Sequence, residues 1–112
     1  MEIYHNPRCR KSRETLQLIR DHKVEPDIVL YLETPPDAAT LKSILDKLGI
    51  PAEKLIRRTE AIFKENFKGK KLSEDEWIAA MVQFPKLIER PIVIEGDKAI
   101  LGRPPENVEE LF

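Results

Sequence analysis

The chain has 112 residues, a net charge of −1 at pH 7, 35% charged residues and a single cysteine, Cys9. That length supports one domain over residues 1–112, burying roughly two-thirds of the surface that its unfolded chain exposes, so a core forms without staples. One thiol excludes an intramolecular disulfide, balanced charge argues against bulk nucleic-acid binding, and no apolar run approaches membrane-spanning length.

Glu2–Tyr4 reads as a short strand, followed by an Asn6-Pro7 turn. A strand-like start lacks the charged-then-apolar layout of a signal peptide, so a cytoplasmic, soluble protein is expected. From Arg10 to His22 the pattern is helical, with Leu16 and Ile19 on one face and charges on the other. Asp27–Leu32 carries the near-continuous apolar run Ile28-Val29-Leu30-Tyr31-Leu32, expected of a strand buried on both faces. Strand, helix and strand in about thirty residues make a right-handed βαβ unit.

Thr34-Pro35-Pro36-Asp37 reads as a helix start with Thr34 as cap; Leu41, Ile44, Leu45 and Leu48 follow at helical spacing, and Gly49 stops the helix. Residues 52–67 look helical but broken near Arg57-Arg58-Thr59. Ser73-Glu74-Asp75-Glu76 is a capping box leading into Trp77, Ile78, Met81 and Val82, and Pro85 ends that helix. Pro91–Ile94, a two-residue Gly96-Asp97 turn and Ala99–Leu101 form a hairpin signal. Pro104-Pro105 opens a last short helix reaching Leu111. The order β-α-β, helical block, β-β-α predicts an α/β, thioredoxin-like mixed sheet of four strands with helices on both faces. The helical insertion separates the βαβ unit from the C-terminal ββα unit.

Cys9 lies where the first strand gives way to the first helix, with Arg8, Arg10, Lys11 and Arg13 beside it and His5 across the turn. A helix start carries open backbone N–H groups and about half a positive charge, which stabilise a thiolate. A cysteine used as a small hydrophobe does not call for flanking arginines, so a reactive thiolate is the better reading. Ser12 excludes a Cys-x-x-Cys pair; it can donate a hydrogen bond to a thiolate or simply supply the polarity of a helix start. Thr15 stands where the phosphatase loop needs arginine. One thiol and two imidazoles, His5 and His22, make a metal site unpromising. His5 can tune Cys9, or cap the strand end. Arg57 sits at the helical break, while Arg90 and Arg103 each precede a proline, which biases the arginine towards extended backbone. Pro91 enters its strand where thioredoxin-like folds keep a cis proline. Several guanidinium forks around one thiolate describe a site for a small tetrahedral oxyanion.

Together, "IYHNPRC…SRETL", "YLETPP", "KLIRR", "ERPIVI" and "LGRP" resemble the glutaredoxin-coupled arsenate reductase (ArsC) family, from Ile3 to about Pro105. The resemblance implies Cys9 as nucleophile, Arg57, Arg90 and Arg103 as oxyanion-binding arginines, and His5 as the residue that lowers the thiol's pKa. Asn6 and Ser12 join the implied substrate-binding set, with Pro91 structural beside it. It further implies no bound cofactor, glutathione as co-substrate, glutaredoxin as partner, and reduction of arsenate to arsenite. Arg10-Lys11 depart from the small residues at these positions in well-studied members. Two rivals share the fold: Spx-type regulators of the RNA polymerase α subunit, which typically carry the Cys-x-x-Cys that Ser12 breaks, and glutathione-linked thiol-transfer proteins.

Overall fold

The computed structural model describes residues 1–112. They form two compact units, Met1–Thr34 with Arg90–Phe112, and Pro35–Glu89.

The first unit holds the sheet: β1 (Glu2–Tyr4), β2 (Asp27–Val29), β3 (Ile92–Glu95) and β4 (Lys98–Leu101), in the spatial order β2-β1-β3-β4. β1 runs parallel to β2 and antiparallel to β3, and β3 and β4 are antiparallel. The expected thioredoxin-like mixed sheet is therefore present. Glu95 pairs with Lys98, which leaves Gly96-Asp97 as the two-residue turn; Gly96 supplies the positive φ (+61°) that a primed turn requires. Helix α1 (Arg10–Asp21) turns Leu16 and Ile19 inward onto Ile3, Val93 and Val108, the last from a 3-10 helix at Pro105–Leu111. Ile3, Ile19, Val93 and Val108 are fully buried, each contributing about 1.5–3 kcal/mol. Strand alternation sends Tyr4, Ile92 and Ile94 to the opposite face, where they are buried too.

β2 departs from expectation. It spans only Asp27–Val29 and lies at the sheet edge, and Ile28 and Leu32 are each 40% exposed rather than buried on both faces. The Leu30 carbonyl accepts both Glu33 and Thr34 N–H (2.9 Å each), so the chain turns before the apolar run can pair further. An apolar run alone does not distinguish a central strand from an edge strand that ends in a turn.

The second unit contains α2 (Ala38–Leu48), α3 (Ala61–Asn66) and α4 (Glu74–Gln83), with 3-10 turns at Ala52–Leu55 and Pro85–Leu87. The cap of α2 is Asp37, whose carboxylate accepts Thr40 N–H (2.8 Å), rather than Thr34. Gly49 closes α2 in the left-handed region (φ +70°), and Ser73 and Glu76 form the expected capping box. Trp77 of α4 lies 6.3 Å from Phe63 and 6.0 Å from Phe67 between ring centroids. At the helical break Ile56 bridges antiparallel to Ile88, with Arg57 N–H donating to Leu87 O (2.7 Å) and Glu89 N–H to Leu55 O (2.9 Å). No helix is long and apolar enough to cross a membrane.

Candidate active site

β1 ends at Tyr4, and the chain makes one tight turn before α1. Asn6 shapes that turn twice: its side-chain oxygen accepts Arg8 N–H (3.0 Å), and its carbonyl accepts Cys9 N–H (2.9 Å). Cys9 is the N-cap of α1, extended at φ −92° and ψ 120°, with its carbonyl accepting Arg13 N–H (3.0 Å). Its half-buried sulfur closes no cap hydrogen bond of good geometry, so the nearby amides act on it chiefly through their dipoles. Burial by itself pushes the Cys9 thiol up. The Ser12 amide, the hydrogen bond and charge of the Arg90 guanidinium, and the Lys11 amide together outweigh burial and hold the thiol below its ordinary value.

Arg90 and Arg103 flank the open end of the C-terminal hairpin, one entering β3 and one leaving β4. Both Arg90-Pro91 and Arg103-Pro104 peptides are cis. Arg103 Nη1 lies 4.0 Å from Cys9 Sγ and donates to the Arg90 carbonyl at 3.1 Å. A contact of 4.0 Å to sulfur is long, so Arg103 contributes mainly charge, whereas Arg90 also contributes a hydrogen bond.

His5 is buried, and its Nδ1 lies 2.6 Å from Ser12 Oγ, which also accepts Asn6 N–H (3.1 Å). Burial first, then the charges of Arg20 and Arg13, lower the His5 pKa, so the imidazole is neutral near pH 7. A neutral ring with its proton on Nδ1 donates to Ser12 Oγ. With the opposite tautomer the Ser12 hydroxyl donates to the ring instead. His22 caps the far end of α1, where Nε2 meets Glu109 Oε2 at 2.6 Å, and takes no part here.

The structure therefore brings Cys9, His5, Asn6, Ser12, Arg90, Pro91 and Arg103 together within the first unit. Arg57 belongs to the second, where its Nε lies 3.3 Å from Glu60 Oε1, without hydrogen-bond alignment, and its Nη1 3.7 Å from Glu89 Oε1. The described residues include no cluster of His, Cys, Asp and Glu suited to a metal.

Residues 4–111 match the ArsC family over almost the whole chain. The chain belongs to the ArsC family. It is 56% identical over 113 residues to the uncharacterized protein YfgD of Escherichia coli K12, covering 99% of this chain and 95% of that one. It is 46% identical over 112 residues to a protein of Haemophilus influenzae named arsenate reductase, covering 98% and 97%. Its structure superposes on the arsenate reductase from Vibrio cholerae with a TM-score of 0.94 at 45% identity, covering 100% and 98%.

This ArsC-family site also depends on three residues that the sequence reading did not single out as contributors. A Cβ built on Gly102 would stand 2.5 Å from Thr15 Oγ1 and 2.7 Å from Pro91 Cγ, so only glycine lets β4 approach α1 and the Pro91 turn this closely. Gly102 N–H donates to Pro91 O (2.9 Å), and Thr15 Oγ1 donates to Lys11 O (2.8 Å). Asn107 Nδ2 donates to Leu101 O (3.1 Å) and Arg103 O (3.2 Å), holding the segment that carries Arg103. Their signal was Gly102 immediately before Arg103, and an asparagine four residues after that arginine.

Proposed function

We propose that this protein is an arsenate reductase using glutathione and glutaredoxin. The observation that carries the reading is a thiol at the start of α1, lowered in pKa, with the Arg90 guanidinium bonded to it and Arg103 4.0 Å away. The arsenate reductase names of the relatives from Haemophilus influenzae and Vibrio cholerae support the same substrate.

The Cys9 thiolate attacks arsenic in bound arsenate. A sulfur–arsenic bond forms, and one arsenate oxygen takes up protons and leaves as water. Arg90 and Arg103 balance negative charge on the remaining oxygens. A glutathione thiol then becomes bonded to Cys9 sulfur while the sulfur–arsenic bond breaks. Its electron pair stays on arsenic, which passes from As(V) to As(III), and the thiol proton goes to an arsenite oxygen. Glutaredoxin resolves the Cys9–glutathione disulfide. With no second cysteine in the chain, both reducing electrons must come from outside. Fixed donors favour the transition state, and bidentate arginine forks fit the oxygens of a tetrahedral anion. Asn6 holds the cysteine turn, His5 and Ser12 tune the thiolate, and Pro91 fixes the Arg90 segment.

The test is arsenite formation from arsenate with glutathione and glutaredoxin. Turnover by the wild type and none by Cys9→Ser supports the proposal. A wild type that gives no arsenite while its thiol remains reactive overturns it.

A further inference from the structure

Helix α1 carries the sulfur at one end and makes a second group of contacts at the other. Cys9 is its N-cap and His22 its C-cap, about 20 Å apart along the axis. His22 Nε2 lies 2.6 Å from Glu109 Oε2; a carboxylate only accepts, so the ring N–H donates whether or not the imidazole is charged. The face of that ring stacks on Phe112, with centroids 3.9 Å apart and planes 10° from parallel. Phe112 N–H donates to Glu109 O (3.2 Å), so both partners of His22 belong to one turn at the end of the Pro105–Leu111 3-10 helix. The start of that 3-10 helix follows directly on Arg103. Asn107, Val108 and Glu109 are consecutive and hold three different things. Asn107 Nδ2 grips the Leu101 and Arg103 carbonyls, Val108 is fully buried with Leu16 and Ile19 of α1, and Glu109 meets His22.

We propose that His22 and Glu109 are positioning residues: with Phe112 they clamp the 3-10 helix to the far end of α1, and through Asn107 that clamp sets where Arg103 stands relative to the Cys9 sulfur. This rests on the reading above that Arg103 grips the oxyanion. An arginine side chain has many rotamers, so its aim depends on how firmly the backbone it leaves from is held. The Arg103 backbone leaves β4 and enters the 3-10 helix at once, and the clamp ties the far end of that helix down. Because one rigid helix bears both the sulfur and the anchor, a shift of α1 carries the two together and preserves the Arg103–sulfur spacing. The pair itself is partly exposed, with side chains 37% and 48% accessible, and such pairs add little to global stability. Its loss is therefore read at the site rather than in the fold.

Protection of Cys9 by arsenate tests the clamp without turnover. Arsenate is added with no reductant, and the readout is the concentration that halves the rate of iodoacetamide alkylation at fixed pH, so a change in intrinsic thiol reactivity cancels. His22→Ala and Glu109→Ala each raise that concentration about three- to tenfold, part of the roughly 10- to 150-fold that losing a charged hydrogen bond outright costs. Glu109→Gln keeps an oxygen that accepts from the imidazole and stays near the wild type. Gln17→Ala breaks a hydrogen bond to Asp21 on the exposed side of the same helix and leaves the value unmoved. In an Arg103→Ala background, with Arg90 still in place, His22→Ala changes nothing further, because the group it positions is gone. Circular dichroism melting checks that every variant is folded at the assay temperature.

Half-protection unmoved in both His22→Ala and Glu109→Ala overturns the proposal and leaves the oxyanion reading standing. An equal loss from His22→Ala in the Arg103→Ala background also overturns it, and makes the clamp a general support of α1. A wild type that arsenate does not protect at all removes the oxyanion reading, and the clamp's role falls with it.

Discussion

At the Cys9 sulfur, burial pushes the thiol pKa up, and the Ser12 amide, the Arg90 guanidinium and the Lys11 amide together outweigh it. In the proposed reaction Arg90 has two tasks: it holds the thiolate before substrate arrives and grips the oxyanion afterwards. Arg90→Ala removes both. The Cys9 pKa rises towards the ordinary thiol value, read from the pH dependence of iodoacetamide alkylation. The loss of about 1.5–3 kcal/mol for a charged hydrogen bond lowers kcat/KM for arsenate roughly 10- to 150-fold. Arg90→Lys restores the charge but not the fork, so it recovers the thiol pKa better than it recovers kcat/KM. An unshifted thiol pKa in Arg90→Ala would place the thiolate's stabilisation in the helix start alone. These residues were legible because each sits where chain chemistry is unusual: a lone cysteine among cations, and arginines before prolines. The hydrogen bond between His5 and Ser12 was not legible, since nothing in the spacing of residues 5 and 12 says that their side chains meet.

One scale up, the elements show why the three arms of the first-unit site keep their distances. α1 presents Cys9, the entry to β3 presents Arg90, and the exit of β4 presents Arg103; they converge through Gly102, packed between Thr15 and Pro91. Gly102→Ala puts a methyl group within 3.0 Å of two buried groups, neither of them the tip of a flexible chain. Such overpacking costs about 1–3 kcal/mol and pushes β4 away from α1. The expected result is a lower urea midpoint together with a fall in kcat/KM. Thr15→Ala removes both contacting atoms of that side chain, so the double variant should be more stable than the sum of the single effects predicts. Strict additivity would show that the close approach is not a packing constraint. Glycine at this position looks like any loop glycine in sequence, because close approach between distant segments leaves no local pattern. The capping box at Ser73 and the Gly96-Asp97 turn, by contrast, were readable because their hydrogen bonds and backbone angles are settled within four residues. The edge position of β2 is illegible for the same reason as the role of Gly102: sheet position is a property of the assembled sheet, not of the strand.

For the molecule as a whole, the site's electrostatics write themselves into stability. His5 and Cys9 both have lowered pKa values, so in each case the unfolded chain binds the proton more readily than the folded chain does. The sign is the same for both: stability rises with pH. For His5 the rise lies below about 6.5, where the unfolded imidazole protonates and the buried one resists. For Cys9 it lies between its lowered value and about 8.5, because there the folded thiol is already ionised and the unfolded one is not. The carboxylates held by capping and pairing, Asp37, Glu76 and Glu25, are also lowered, but their window falls lower still, near the ordinary carboxylate range. The windows can therefore be separated by titration. Urea midpoints measured from about pH 6 to 9 should climb for the wild type and flatten at the alkaline end in Cys9→Ser, whose hydroxyl does not ionise there. At the acid end the two proteins should fall in parallel, since both keep His5. Identical slopes above pH about 7 would mean that the folded thiol titrates like a free one, and the anion at the start of α1 would lose its thermodynamic support.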